Sequence, residues 1–299
     1  MSRRGWILFV AMSLIWGMPY LFIRVAVRQI EPATLIFLRT APAALLLLPL
    51  ALHRRALGGL LPRWRWLVVF TAVEFAIPWY FVSRAEIHLT SSFTGLLIAT
   101  VPLIGAVIYR VVGHDHFDRR RIVGLLVGFG GVAVLVGIDV HGAQIGPVLE
   151  VLLPAVGYAL GPLVIARKLD DLVGIGVVTV CLALASVVYA PVALTHLPTR
   201  LSAATVVSMV GLIVICTATG FVLFFELIVE VGAARSTVIT YVNPAVALLL
   251  GVLVLGEPLT LGIVVGFPLI LLGSWLATAT TDPVPEPGHS PLTAEPPTG

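Results

Sequence analysis

Residues 85–137 and 227–279 are two versions of one segment, superposable without a gap at an offset of 142 positions. Pro102 falls on Pro244, Asp115 on Glu257, Gly124 on Gly266 and Gly131 on Gly273. Carried toward the N-terminus, the same offset sets Trp16 on Tyr158, Leu21 on Leu163 and Ile23 on Ile165. A doubled apolar unit of this length is the sequence mark of a transporter built from two membrane repeats.

Composition names the solvent of such a unit. The 299-residue chain is 59% hydrophobic and 11% charged, with a mean hydropathy of +1.07; soluble domains carry about 25% charged residues. A water-soluble core cannot absorb this much apolar surface, so the partner is a lipid bilayer. The sequence pI near 9.1 comes from basic residues in short clusters between apolar runs. They form no face large enough for a duplex, so no nucleic-acid partner is expected. Cys181 and Cys216 lie inside apolar runs and read as buried thiols, without disulfide or metal spacing. Arg3 and Arg4 open an apolar stretch that continues past Trp16 and Tyr20 with no small-residue cleavage site, as an uncleaved first span does.

A span needs about 20 apolar residues. Segments 5–23, 33–52, 66–87, 92–112, 122–138, 147–166, 172–194, 203–229, 234–254 and 259–279 qualify, predicting an all-α integral membrane protein of ten helices. The first five form one repeat (1–138), a linker covers 139–146, and the second five form the other repeat (147–279). Residues 280–299, rich in Pro, Thr and Glu, read as a disordered tail. With the N-terminus inside, Arg3, Arg4, Arg54, Arg55, Arg63, Arg65, Arg110, Arg119, Arg120, Arg121, Arg167, Lys168 and Arg235 are cytoplasmic, while only Arg24, Arg28, Arg84 and Arg200 are outside. That bias predicts a multi-pass protein of the cell membrane with both termini cytoplasmic. Five spans per repeat is an odd number, so the repeats enter the bilayer inverted with respect to each other.

Residues 13–25, Ser-Leu-Ile-Trp-Gly-Met-Pro-Tyr-Leu-Phe-Ile-Arg-Val, resemble the first helix of EamA-type members of the drug/metabolite transporter superfamily. Leu35-Ile36-Phe37-Leu38-Arg39 resembles that family's second helix. The strongest likeness is Tyr241-Val242-Asn243-Pro244, Gly256-Glu257-Pro258-Leu259-Thr260, Gly266 and Gly273, and the resemblance spans residues 5–279. In the first repeat the family's Gly-Glu turn reads Gly113-His114-Asp115, with a shorter acid. The resemblance implies a carrier of small metabolites, amino acids or drugs, with a central cavity between the halves.

Glu74 is the sharpest site candidate. It stands eight residues beyond Trp66, about 12 Å into a hydrocarbon core of about 30 Å. An ionised carboxylate there costs several kcal/mol unless it faces water, a partner or a substrate. It is either a proton-coupling group or a hydrogen-bonded structural carboxyl. Arg39, on the second span, either attracts a carboxylate-bearing substrate or pairs with an outer acid, Glu31 or Glu86, and the pair is the favoured reading. Glu226 reads as an interfacial anchor, while Glu150, Glu230 and Arg84 are span-end charges.

Pro102 and Pro244 each remove a helix hydrogen bond mid-span, so twin kinks are expected to line the cavity. Tyr241, Asn243, Thr94 and Thr100 are the nearest hydrogen-bonding side chains and join the expected substrate site. Trp16 and Tyr20 share a helix face; with Trp79, Tyr80 and Tyr158 they offer an apolar wall with polar tips. Trp64 and Trp66 belong to an interfacial belt. The His114-Asp115-His116-Phe117-Asp118 cluster has no standard metal spacing and reads as a solvated turn. Three GxxxG pairs, Gly124/Gly128, Gly157/Gly161 and Gly262/Gly266, allow close helix contacts within one chain or across a homodimer.

The expected function is secondary transport of a small molecule by alternating access, in the export direction and coupled to protons through Glu74. The chain contains no GxSxG, HExxH, P-loop or dinucleotide fingerprint, and no cofactor, metal or catalytic residue is expected. An integral membrane enzyme acting on a lipid, or a non-transporting receptor or scaffold, are the competing classes.

Overall fold

The computed structural model describes residues 1–111, 118–139, 145–232, 236 and 238–278. Among them every regular element is helical. Among the described residues nine helices are long and apolar enough to cross a membrane: α1 (Arg3–Ala26), α2 (Pro32–His53), α3 (Leu61–Ala85), α4 (Ser91–Val111), α5 (Arg119–Asp139), α6 (Ile145–Leu169), α7 (Gly174–Ala193), α8 (Ala203–Val231) and, after α9, α10 (Leu261–Thr278). Between α8 and α10 stands α9 (Ile239–Leu255), apolar but shorter. The tail 280–299, the linker's residues 140–144, Arg235 and the His114-Asp115-His116-Phe117 cluster lie outside the described residues.

Local chemistry sets the helix ends. Ser2, Thr90 and Ser202 cap α1, α4 and α8, accepting from the amides of Gly5, Phe93 and Thr205. Pro62 opens a 3-10 turn at Leu61–Arg63 and begins α3 earlier than hydropathy suggests. Arg63 and Arg65 therefore sit on helix, beside an interfacial belt of cations over indoles: Arg65 on Trp64, Lys168 on Trp66 and Arg120 on Trp275. Gly256 ends α9 in the left-handed region, at φ +67. Glu257 then reaches across to the start of α4. Its Oε1 accepts from the amide and hydroxyl of Ser91, at 2.8 and 3.0 Å, and its Oε2 from those of Ser92, at 2.9 and 2.6 Å. A carboxylate at a helix N-terminus satisfies otherwise orphaned amides and complements the helix dipole.

The packing follows the repeat. Helices that correspond at the 142 offset pack on each other, α2 on α7 and α5 on α10. In the second pair the backbones touch. A methyl built on Gly124 would fall within 3.0 Å of Gly273 O, and one on Gly131 within 3.0 Å of Gly266 O. These two contacts exchange under the offset, Gly124 with Gly266 and Gly131 with Gly273, as a quasi-two-fold axis requires. All three GxxxG pairs are used within the chain: Gly157 and Gly161 seat α6 on Val73 and Glu74 of α3, and Gly262 faces Asp139.

Charge follows the same axis with its sign reversed. At one end Arg84 of α3 pairs with Glu150 of α6 at 3.0 Å. At the other, Glu226 of α8, the equivalent of Arg84, pairs with Arg4 of α1 at 2.6 Å and Arg54 at 3.5 Å. Glu226 is thus tied to two arginines, and Arg84 and Glu150 fasten one repeat to the other.

Gly273→Ala is expected to destabilise the protein by about 1–3 kcal/mol, because its methyl meets backbone that cannot move aside. Gly130→Ala, on the same α5 helix with open space around it, should leave stability unchanged or raised by up to about 1 kcal/mol. Thermal unfolding of the two variants in detergent checks the contrast.

Candidate functional site

The two departures from α-winding at mid-depth mark the centre. α3 winds as a π-helix over Thr71–Ala76 and α8 over Gly211–Thr219. At the 142 offset these segments coincide, and Glu74 of one corresponds to Cys216 of the other. π-Bulges leave backbone groups off the regular ladder and recur at functional sites. Here side chains take up the slack: Trp16 Nε1 donates to Cys216 O at 3.3 Å, and Thr217 Oγ1 donates to Leu212 O at 2.7 Å. Gly220 lies against Trp16 Nε1, where a methyl would not fit.

Around the π segments α1, α2, α3, α6 and α8 converge. Arg39 Nε donates to Thr217 Oγ1 at 2.9 Å, and its guanidinium lies 3.5 Å from the centroid of the Trp79 ring. Tyr20 and Tyr158 sit within the electrostatic reach of Arg39, and Tyr158 within that of Glu74. An aromatic wall joins them: Phe75 meets Trp79 and Phe221 at 5.3 and 5.6 Å between centroids, and Trp16 meets Phe221 and Phe224 at 5.6 and 4.6 Å. Glu74 points into the gap left by Gly161, and its Oε2 is buried without a hydrogen-bond partner. A buried polar oxygen left unpaired costs about 1–3 kcal/mol.

The arrangement gathers Trp16, Tyr20, Glu74 and Tyr158 of the expected set, with Arg39 and Trp79 beside them. The rest lie elsewhere. Tyr80 stacks on Tyr189 at 5.8 Å, on the α7 side of α3. Thr94 and Thr100 are buried with their hydroxyls on their own helix, at Thr90 O and Leu97 O. Tyr241 meets Thr278 at 2.5 Å on α10. Asn243, with its nitrogen turned to them, donates to Ser13 O at 3.2 Å and Ile239 O at 3.0 Å, joining α9 to α1. The prolines differ as well. α4 is interrupted at Ala99 and Thr100, just before Pro102, whereas Pro244 lies inside the unbroken α9. At the interruption Ala99 O accepts from Ser274 Oγ at 3.2 Å.

The pairing of Arg39 with Glu31 or Glu86 is not what the structure shows. Glu31 faces His196 at 3.9 Å, and Arg39 meets Thr217 and Trp79 instead. Sequence spacing put the outer acids closest, but the mid-depth π segment of α8 presents the nearer acceptor. Thr217 was not foreseen. A lone threonine in an apolar run carries no periodic signal, although its neighbour Cys216 is flagged by alignment with Glu74.

At the ends of the bundle two further contacts exchange under the offset. Gln29, after α1, accepts from Thr205 Oγ1 at 2.7 Å and from the Ser202 amide at 2.9 Å at the start of α8. Their equivalents, Asp171 after α6 and Arg63 at the start of α3, form an ion pair at 3.1 Å, and Arg63 also donates to Lys168 O at 2.6 Å. Each contact joins one repeat to the other, and the two sit at opposite ends.

Comparison with known proteins now decides the class. The model of the EamA-like transporter family matches residues 3–137 and, a second time, residues 146–279. The chain belongs to the EamA-like transporter family. Its relatives include an uncharacterized transporter of Archaeoglobus fulgidus, 25% identical over 279 residues, with 91% of this chain and 98% of the other covered. The uncharacterized inner membrane transporter YedA of Escherichia coli is 30% identical over 294 residues, covering 90% and 91%. The uncharacterized transporter YvbV of Bacillus subtilis is 26% identical over 279 residues, covering 90% of each. One solved crystal structure shares the fold at a TM-score of 0.65 and 18% identity, covering 93% of this chain and 97% of that one. This EamA-like chain is thus a multi-pass membrane protein whose relatives are named as transporters.

One more carboxyl stands above the site. Glu86, just past the end of α3, is fully buried, with both oxygens unpartnered. Burial pushes its carboxyl well above the usual range, against the pull of Arg24 and with help from Glu257. A carboxyl raised in the folded state adds stability below its unfolded pKa and loses it as pH rises toward the folded one. Glu86→Gln is therefore expected to flatten the fall in melting temperature as pH is raised from about 4, measured by thermal unfolding across a pH series.

Proposed function

We propose that this protein is a secondary carrier that moves a small metabolite, amino acid or drug-like solute by alternating access around the site between the π segments. The observation that carries the reading is the exchanged pair of end contacts. Gln29 with Thr205 joins the repeats at one end and Arg63 with Asp171 joins them at the other, and one operation interconverts them; in this reading they are the two closures. A carrier needs two such closures of comparable but unequal strength, so that releasing one accompanies forming the other. A neutral hydrogen bond at one end and an exposed ion pair at the other meet that requirement. The aromatic wall and the Arg39 and Glu74 groups lie between them.

Glu74 is the proposed coupling group. Its unpartnered oxygen stands beside the central site, where a proton or a substrate cation can complete it, and each half-cycle hydrates it from a different side. Energy comes from the ion gradient or from exchange. The cell membrane, with both termini on the cytoplasmic side, follows from the distribution of arginines, and efflux is the direction proposed.

Two experiments on the protein in liposomes test the reading. With Cys181 and Cys216 replaced by Ala, a reducible cross-link between Gln29→Cys and Thr205→Cys, or between Arg63→Cys and Asp171→Cys, is expected to stop solute flux until it is reduced. Flux that continues through either cross-linked pair sinks alternating access at these ends. Glu74→Gln is expected to keep solute exchange at equal pH while losing the response to an imposed pH gradient. An unchanged gradient response removes Glu74 from coupling.

A further inference from the structure

Arg39 is a cation without an anionic partner among the described residues. Its side chain is 5% exposed, on the part of α2 that faces α3 and α8. Of the five N–H donors a guanidinium carries, the structure uses only Nε, on Thr217. The ring of Trp79 covers one face, and Nη1 and Nη2 have no acceptor among the described residues. Leaving a buried charge without a counter-charge is costly, and no acid among the described residues acts on Arg39: its electrostatic neighbours are Cys216, Tyr158 and Tyr20. Glu226 pairs with Arg4 and Arg54, Glu150 with Arg84 and Glu31 with His196. Glu74 Oε2 is buried without a partner among the described residues, and Glu86 faces Arg24 and Glu257.

We propose that Arg39 docks the carboxylate of the transported solute, and that the solute is a small organic carboxylate with an apolar or aromatic body. This rests on the carrier reading above and names the substrate class of the same site. Thr217 and Trp79 hold the guanidinium by Nε and by one face, which fixes its plane and leaves the outer edge with two parallel N–H groups. That edge matches the two oxygens of a carboxylate, the geometry for which arginine is used in preference to lysine. The Trp79 ring that covers the guanidinium continues through Phe75 and Phe221 to Trp16 as one run of ring contacts, an apolar wall. Tyr20 and Tyr158 lie within the electrostatic reach of Arg39, and Tyr158 is hydrogen-bonded with Trp79. A polar head therefore meets the guanidinium while the body lies on aromatic surface. The unpaired Glu74 is placed to reject a second negative charge on the solute, or to take a donor hydrogen from it.

The test compares matched probes on the full chain: 3-phenylpropanoate, 3-phenylpropanamide and 3-phenylpropylammonium, titrated against purified protein by thermal shift. The acid is expected to raise the melting temperature, and the amide and amine to bind roughly tenfold to hundredfold more weakly. Arg39→Gln should abolish the preference for the acid. Arg39→Lys, which keeps the charge and loses the fork, should retain only part of it; Thr217→Val, which frees Nε, should weaken acid binding even if Arg39→Gln does not fold. Equal binding of acid and amide, no binding of the acid, or an acid preference that survives in Arg39→Gln or is untouched in both Arg39→Lys and Thr217→Val would overturn the assignment. Counterflow in liposomes separates it from the carrier reading. Acid-selective binding without any flux keeps the site and removes transport, whereas flux of the amine or amide in preference to the acid keeps transport and removes the site.

Discussion

Hydrocarbon offers no hydrogen-bond partner, and the mid-depth departures from regular helix in α8 and α4 are shaped by that fact. A span can wind as π or break only where a side chain meets the displaced backbone. The π segment of α8 is met by Thr217 from within and Trp16 from α1; the interruption of α4 is met by Thr100 from within and Ser274 from α10. The irregular backbone at mid-depth in α8 and α4 therefore lies at helix contacts, and it gathers polar groups where a lipid-exposed surface would not tolerate them. The site is a product of this confinement. Arg39 stays at its depth because Thr217, itself held by the π winding, and Trp79 receive it.

The same constraint explains why the doubled chain folds as a quasi-symmetric pair. With water absent, apolar surface gives no driving force between helices, so close packing and polar contacts must hold the repeats together. Glycines at Gly124, Gly131, Gly266 and Gly273 bring two backbones into direct contact. Small residues supply the frame, and polar residues differ between the halves. Glu74 stands where the other half has Cys216, and the Gln29 hydrogen bond where it has the Arg63–Asp171 ion pair. The frame is quasi-symmetric because its contacts are alike, and the site has polarity because its linings are not.

Much of this was legible in the sequence because it depended on periodicity and on the offset. Helix positions, the two repeats and the matched Trp16 and Tyr158 required only hydropathy and alignment. The third helix began earlier than expected because Pro62 initiates it, a local effect that hydropathy averages away. Arg39 was read against the acids nearest in span depth, and the structure gave it a hydroxyl and an indole from two other helices. Thr94, Thr100 and Tyr241 looked like cavity groups because they neighbour the prolines. A hydroxyl can satisfy itself on the preceding turn, as Thr94 and Thr100 do, and no spacing rule reveals that choice. Glu257 illustrates the reverse. Its motif was visible as a turn, but its work as a cap on Ser91 and Ser92 exists only across the repeats.

The reversed ion pairs also show where the halves complement each other. Arg84 meets Glu150, and Glu226, in the place of Arg84, meets Arg4. Under the offset Glu150 falls on Leu8 and Arg4 on Gly146. Neither half therefore carries, at the matching position, the counter-charge that its own Arg84 or Glu226 meets across the axis. Each charge is answered only by the other half, and the signs along the chain make the two repeats unlike partners in a frame that is otherwise alike.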